Sequence, residues 1–311
     1  MALLRRGLQL LGRHKKAICF SYLLNLSLAG ILLPSFLRNF DRSLGQGLYR
    51  EKLIGKLDYD WLSLFRERFP DFGSDFGSTT LGLGPFAHNL ETLLDGKMGS
   101  GPAMLAALGG LYLLLHSFLL GAALGSFCRD PQGTSLREFF RTGGVFFGRF
   151  FRTSLLAVTL FTLLTLLIAQ PSLDWVARLT QNAFTEVPIL AARLIRYLLL
   201  LVLFLFLNML MDYTKLRIAL EDRTSVILAF LSATTFCLRN FFFTYGLYLL
   251  IVVLSVLWVL FYSVVEYALP QESWPLITVA FLWQQFYLLG RLSFKLLFYS
   301  TQAQVLVDRP G

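Results

Sequence analysis

Residues 241–264 read FFFTYGLYLLIVVLSVLWVLFYSV, a run without a single charged side chain. A helix that crosses about 30 Å of hydrocarbon needs about 20 apolar residues, so this stretch is long enough to span a membrane. Five further stretches have comparable length and composition. The six predicted spans are 17–37, 102–127, 153–170, 194–212, 241–264 and 275–297.

The composition of the whole chain agrees with this interpretation. Of the 311 residues, 56% are hydrophobic and only 15% are charged, and the mean hydropathy is +0.62. A soluble chain usually carries about 25% charged residues. The figures exclude disordered, collagen-like and disulfide-scaffold proteins. They predict one all-α integral membrane domain over residues 1–311.

The positions of the basic residues predict which way the spans run, because cytoplasmic loops are rich in Lys and Arg. Bases are concentrated before the first span, in 129–152 and in 213–239, whereas 171–193 and 265–274 hold few. We therefore expect both termini on the cytoplasmic side of the membrane. The apolar run from residue 17 resembles a signal peptide, but it continues to Phe36, which favours an uncleaved anchor.

The long segment 38–101 follows the first span and is predicted to be extracytoplasmic. Its 58–69 stretch, DYDWLSLFRERF, places Trp61, Leu62, Phe65 and Phe69 near one helical face. We expect an amphipathic helix at the outer membrane surface.

The net charge of +9 would be compatible with nucleic-acid binding in a soluble protein. Here the bases flank apolar runs, so anionic lipid headgroups are the expected partner, with another membrane protein as a further possibility and no nucleic acid. Cys19, Cys128 and Cys237 have no paired spacing, and we expect neither a disulfide nor a metal site. The sequence does not predict an oligomeric state.

An internal repeat precedes two of the predicted spans. Residues 134–151 and 224–241 share six identities at an offset of 90. The matched pairs are Thr134/Thr224, Ser135/Ser225, Phe140/Phe230, Phe146/Phe236, Arg149/Arg239 and Phe151/Phe241. A weaker third copy at the N-terminus includes Arg13. The pattern predicts three parallel helical hairpins, each preceded by an amphipathic juxtamembrane helix.

These juxtamembrane helices combine aromatic and basic residues, the composition of helices that lie in the lipid headgroup region. We expect Arg13, Arg149 and Arg239 to contact lipid phosphate. Simple connection of the spans is the alternative.

Residues 212–240, DYTKLRIALEDRTSVILAFLSATTFCLRN, together with their echo at 134–152, carry a family resemblance. They resemble the membrane domain fused to some bacterial glycerophosphodiester phosphodiesterases, and related six-span inner-membrane proteins. The resemblance implies a helical bundle in the inner membrane. The phosphodiesterase domain has no counterpart in this sequence, so no catalytic residue carries over.

No motif for a nucleophile, phosphate-binding loop or metal-binding helix occurs in the chain. The three histidines (His14, His88 and His116) have no acid or cysteine at ligand or triad spacing. We therefore expect a non-enzymatic protein without a cofactor. His116 in the second span is expected to be a hydrogen-bonded structural residue.

Polar side chains form stripes on two predicted spans. Gln284, Arg291 and Lys295 share one face of the sixth span. Asn208, Asp212 and Lys215 share one face at the end of the fourth. Charges inside a span are costly unless they face polar groups or water. The stripes predict an interhelical polar cluster in which Asp212 faces Lys295 or Arg291; snorkelling of the bases to the headgroups is the alternative.

In the second span Ser117, Gly121 and Gly125 recur every fourth residue, which predicts close helix packing.

The expected function is that of a lipid- or partner-binding scaffold or accessory component. The alternative is a transporter of a small solute or ion, with a pathway past the polar stripes of spans four and six.

Overall fold

A computed structural model describes residues 15–44, 59–68, 103–129, 135–181, 185–269 and 273–308. All regular structure within these ranges is helical. The helices are α1 (Lys15–Leu44), α2 (Tyr59–Arg68), α3 (Ala103–Arg129), α4 (Leu136–Leu164), α5 (Gln170–Thr180), α6 (Glu186–Leu220), α7 (Val226–Arg239), α8 (Phe241–Ala268) and α9 (Trp274–Asp308). A single π-helical turn, Thr165–Ala169, joins α4 to α5. The expectation of an all-α fold is confirmed.

Among the described residues, four helical segments are long and apolar enough to cross a membrane: Leu108–Cys128, Leu136–Thr180, Glu186–Leu220 and Phe241–Ala268. They contain the predicted spans 102–127, 153–170, 194–212 and 241–264, except for the first few residues of 102–127. The chain is thus compatible with a membrane protein. The remaining predicted spans lie in α1, whose apolar part is Ala17–Ile31, and in α9.

The segment 171–193, expected to be a loop, is helical as far as Thr180. Pro171 should interrupt a helix because it lacks an N–H group and its ring clashes with the preceding turn. The π-helical turn immediately before it widens the backbone there, and α5 continues beyond the proline. Helical backbone therefore extends well past the predicted end of the third span.

Helix α6 lies at the centre of the bundle and packs against α3, α4, α7 and α9, while α1 packs against α3 and α9. The largest helix interface joins α3 to α4. It is built by small residues: a Cβ atom added to Gly121 would lie 3.1 Å from the Phe146 Cβ, and one added to Gly125 would lie 2.8 Å from the Phe146 ring. The glycines therefore permit an approach that any side chain would block.

Two serines at matching repeat positions begin helices in the same way. The Ser135 hydroxyl accepts a hydrogen bond from the Glu138 N–H (3.2 Å) at the start of α4. The Ser225 hydroxyl accepts one from the Leu228 N–H (3.5 Å) at the start of α7. Such caps satisfy a backbone donor that the first helical turn leaves free. The copies differ further on, since α4 is continuous whereas α7 ends at Arg239, just before α8.

The predicted helix at 58–69 is present as α2, Tyr59–Arg68. Trp61 is buried and packs edge-on against Phe40 of α1, with 5.5 Å between ring centroids. Phe69 lies outside the described residues, as does the third repeat copy with Arg13.

Candidate functional site

A buried ion pair lies on α6. The Lys215 Nζ donates to the Asp212 Oδ1 at 3.0 Å, and the two side chains are only 15% and 8% exposed. The same ammonium donates to the Tyr299 hydroxyl of α9 at 3.3 Å and lies 5.6 Å from the centre of that ring. One carboxylate, one ammonium and one phenol thus form a hydrogen-bonded cluster at the α6–α9 interface.

A second polar group lies beside the first, where α1, α3 and α9 meet. The Lys295 Nζ of α9 is 3.0 Å from the His116 Nε2 of α3. The imidazole also stacks on Tyr112, with 5.2 Å between centroids and an interplanar angle of 5°. Lys295 itself is exposed at the surface of the protein.

These residues line a groove, hereafter the Lys295 groove. Its polar lining residues are Ser21, Asn25, Tyr112, His116, Lys295 and Tyr299, and leucines and Ala123 complete the walls. The free volume for a water-sized sphere is about 20 Å³. That is room for one or two waters, whereas pockets for drug-sized ligands measure about 300–1,000 Å³.

The structure brings only part of the predicted stripe together. Asp212 pairs with Lys215 on its own helix, and not with Lys295 or Arg291 as the sequence predicted. The Asn208 amide donates to the Tyr248 hydroxyl at 2.6 Å. Neither Gln284 nor Arg291 forms a hydrogen bond or ion pair with another described residue, and Arg291 is exposed.

The predicted lipid-contact arginines have different surroundings. Arg149 forms an ion pair with Asp222 in the turn between α6 and α7, and its guanidinium lies 5.3 Å from the centre of the Phe146 ring. It also donates to the Asp222 carbonyl at 3.1 Å. Asp222 has a left-handed backbone (φ 52°), a conformation that is uncommon outside glycine. The two bonds from Arg149 stabilise this turn. Arg239, by contrast, is exposed.

The predicted packing residues of α3 all face α4. Ser117 is fully buried, and its hydroxyl lies 2.9 Å from the Ser154 hydroxyl. Gly121 and Gly125 lie against Phe146, as described above. The stripe therefore forms a helix–helix contact and does not border the Lys295 groove.

An arginine that the sequence analysis did not single out occupies the other end of α6. Arg196 is 4% exposed; its Nη2 donates to the Ala169 carbonyl at 3.2 Å and its Nε to the Ser172 hydroxyl at 2.8 Å. Both acceptors flank Pro171, where the regular helix ladder is interrupted. Arg196 therefore stabilises the π-helical turn from a neighbouring helix.

Some buried polar atoms near the C-terminal ends of α3, α6 and α9 have no hydrogen bond to any described residue. They are the Ser126 hydroxyl, the Tyr213 hydroxyl, and both amide atoms of Gln302. Gln302 lies one turn beyond Tyr299 and is 1% exposed. Burying polar atoms without hydrogen bonds is costly, so these side chains stabilise the fold less than the hydrogen-bonded pair of Asp212 and Lys215 does.

Comparison with known proteins gives no relative: no family model, curated protein or solved structure matches the chain. No group of three metal-ligating side chains occurs among the described residues. Function must therefore be argued from the geometry.

Proposed function

We propose that this chain is a non-enzymatic, six-span protein of the bacterial inner membrane that binds anionic lipid at its cytoplasmic face and acts as a scaffold or accessory component. Both termini lie in the cytoplasm in this proposal. The six spans form three parallel hairpins, related to the membrane domain of the phosphodiesterases named above.

The observation that carries the proposal is the surface of α7. This helix has 14 residues and a length of about 21 Å, too short to span the hydrocarbon. Its inner face is buried through Ala229, Ala233 and Phe236, yet Ile227 and Leu231 are 66% and 55% exposed on the other side. A helix that is apolar on both faces needs lipid around its outer face.

Exposed arginines accompany these apolar surfaces. Arg239 ends α7, and Arg137 and Arg141 lie on the first turns of α4 beside Phe140 and Val145, which are 40% and 50% exposed. Bases next to exposed aromatic and aliphatic side chains fit the boundary between acyl chains and phosphates. Arg149 is bonded to the turn at Asp222, so the exposed Arg239 and Arg141 are the better residues for a test of lipid contact.

The geometry supports a scaffold better than a transporter. A solute pathway past Asp212 would need a water-filled opening that reaches it. Instead Asp212 is paired with Lys215 and capped by Tyr299, and the adjoining Lys295 groove has a free volume of only about 20 Å³.

Lipid binding is tested with the double variant Arg239→Glu and Arg141→Glu. Each basic residue near the membrane surface contributes about 1 kcal/mol to the attraction to anionic lipid. We expect the purified double variant to retain less anionic lipid than the wild type, while Arg178→Glu, in α5, changes nothing. Unchanged lipid retention in the double variant would leave these helices as connectors.

The topology is tested by labelling single cysteines with a membrane-impermeant reagent. A cysteine at Ala268 should label from outside the cell, and one at Leu220 should not. Labelling at position 220 from outside would overturn the parallel hairpins and the cytoplasmic termini.

A further inference from the structure

The Lys295 groove lies far from the helix ends. His116 is 13 residues from the end of α3 at Arg129, about 20 Å along the helix axis. In a membrane with a hydrocarbon core of about 30 Å, this places the Lys295–His116 contact near the middle. Charges at such depth are found facing a partner charge, a water-filled cavity or a ligand.

The charges around Lys295 do not balance. The charged groups that act on it are Lys215, Arg291 and Asp212. With Lys295 itself, three cations face one carboxylate, a formal surplus of two positive charges among the described residues. The single carboxylate is already bonded to Lys215, so Lys295 has an imidazole where a counter-ion would be expected.

The His116 contact leaves Lys295 free to bind a further group. If the lysine is an ammonium, the Nε2 of a neutral His116 accepts one of its three N–H bonds. The other two are left for a group in the groove, which Lys295 lines together with Tyr112. The ammonium can only donate, which excludes a cation, and the surplus of positive charge around it favours an oxyanion over a neutral acceptor.

We propose that the Lys295 groove binds an oxyanion, a carboxylate or phosphate group, whose oxygen is bonded by Lys295. The proposal rests on the membrane location given under Proposed function. The small free volume admits the oxygen end of the group, and the walls of leucine beside it favour an anion that carries an acyl or alkyl chain.

The test uses the full-length protein in an uncharged maltoside detergent and measures equilibrium binding of radiolabelled dodecyl phosphate. We expect saturable binding at about one molecule per chain and at least a tenfold loss of affinity in Lys295→Met. Arg193→Met is the matched control, because it removes an exposed cation far from the groove, and its affinity should stay within about threefold of the wild type.

A second variant keeps the proposal testable if Lys295→Met fails to fold. Ser21→Leu leaves every charge in place but fills the groove, and it should also abolish binding. Wild-type affinity in either folded variant would overturn the site, as would binding of dodecanol, the uncharged analogue, with the same affinity.

Competition identifies the source of the oxyanion. Displacement by laurate but not by inorganic phosphate or acetate assigns the site to amphiphiles, and displacement by all three assigns it to free anions; both results support an oxyanion site. The two proposals can be refuted independently. The groove is tested by dodecyl phosphate binding to Lys295→Met, whereas lipid binding at the cytoplasmic face is tested by lipid retention in the Arg239 and Arg141 double variant.

Discussion

The buried pair of Asp212 and Lys215 allows a quantitative test of the bundle. The two atoms are 3.0 Å apart and both side chains are nearly buried. At that separation and an effective dielectric constant of 20, their attraction is about 5 kcal/mol. Removing one partner of a buried pair typically costs about 3–5 kcal/mol because the other charge is left unpaired. We expect Asp212→Asn to lower the free energy of unfolding by about 3–4 kcal/mol.

The double variant separates this pair from general damage to the fold. Adding Lys215→Met to Asp212→Asn removes the stranded ammonium, so the double variant should regain about 2–3 kcal/mol relative to the sum of the two single changes. Unfolding in mixed micelles, followed by circular dichroism, measures all three variants. Glu221→Gln is the control, since it breaks only the partly exposed pairs with Arg217 and Arg223 and should cost less than about 1 kcal/mol.

The outcome also decides between two partners for Asp212. The same cycle with Lys295→Met in place of Lys215→Met should give a much smaller coupling, because Lys295 contacts His116 and not the carboxylate. Additive effects in the Lys215 cycle would refute the pair as an energetic unit, and a larger coupling to Lys295 would refute the geometry described above.

Three further outcomes follow from packing and burial. Gly125→Leu should lower the free energy of unfolding by about 1–3 kcal/mol, because the added Cβ would already lie 2.8 Å from a phenyl ring of α4. In the same unfolding assay Gly148→Ala should be neutral or slightly stabilising, because the added methyl group meets open space. Burial raises the pKa of the Cys237 thiol to about 12, so the thiol stays protonated from pH 7 to 9. Mass spectrometry should find Cys237 unmodified by N-ethylmaleimide at both pH values until the protein is denatured. Modification of the folded protein that increases with pH would contradict the burial of this thiol. Gln302→Met should be neutral or stabilise the protein by about 1 kcal/mol, since the amide has no partner to lose, and a clear loss of unfolding free energy would show that the amide is bonded in the folded state.

The helices could be predicted because a long apolar segment in lipid satisfies its backbone hydrogen bonds by forming a helix, and the length of the segment determines whether it can span the membrane. The same reasoning located Lys295 and Asp212 within apolar helices. It did not identify their partners, because helical spacing allows Asp212 to pair with Lys215 three residues on or with a base on another helix. Only the packing of α6 against α9 places Tyr299, 84 residues away, on the ammonium.

Two other contacts have no local pattern at all. Lys295 and His116 are 179 residues apart in the chain, and nothing in the periodicity of either helix indicates their register. The role of Arg196 depends on a π-helical turn, which no spacing of residues predicted. Six spans and a threefold repeat remain predictions from the sequence.

The Asp212–Lys215 pair at the α6–α9 interface and the neighbouring Lys295 groove differ in what a substitution can reveal. Lys215 donates to both Asp212 and Tyr299, and the carboxylate already has a counter-ion, so changes there should act on stability. Lys295 has spare donors, an exposed side chain and a surplus of positive charge around it, so its removal relieves repulsion as well as abolishing a contact. Lys295→Met should therefore lose oxyanion binding without the large loss of stability expected for Asp212→Asn. A protein in which both variants lost stability equally would have a single coupled charge network, and the Lys295 groove would then be part of the core and not a binding site.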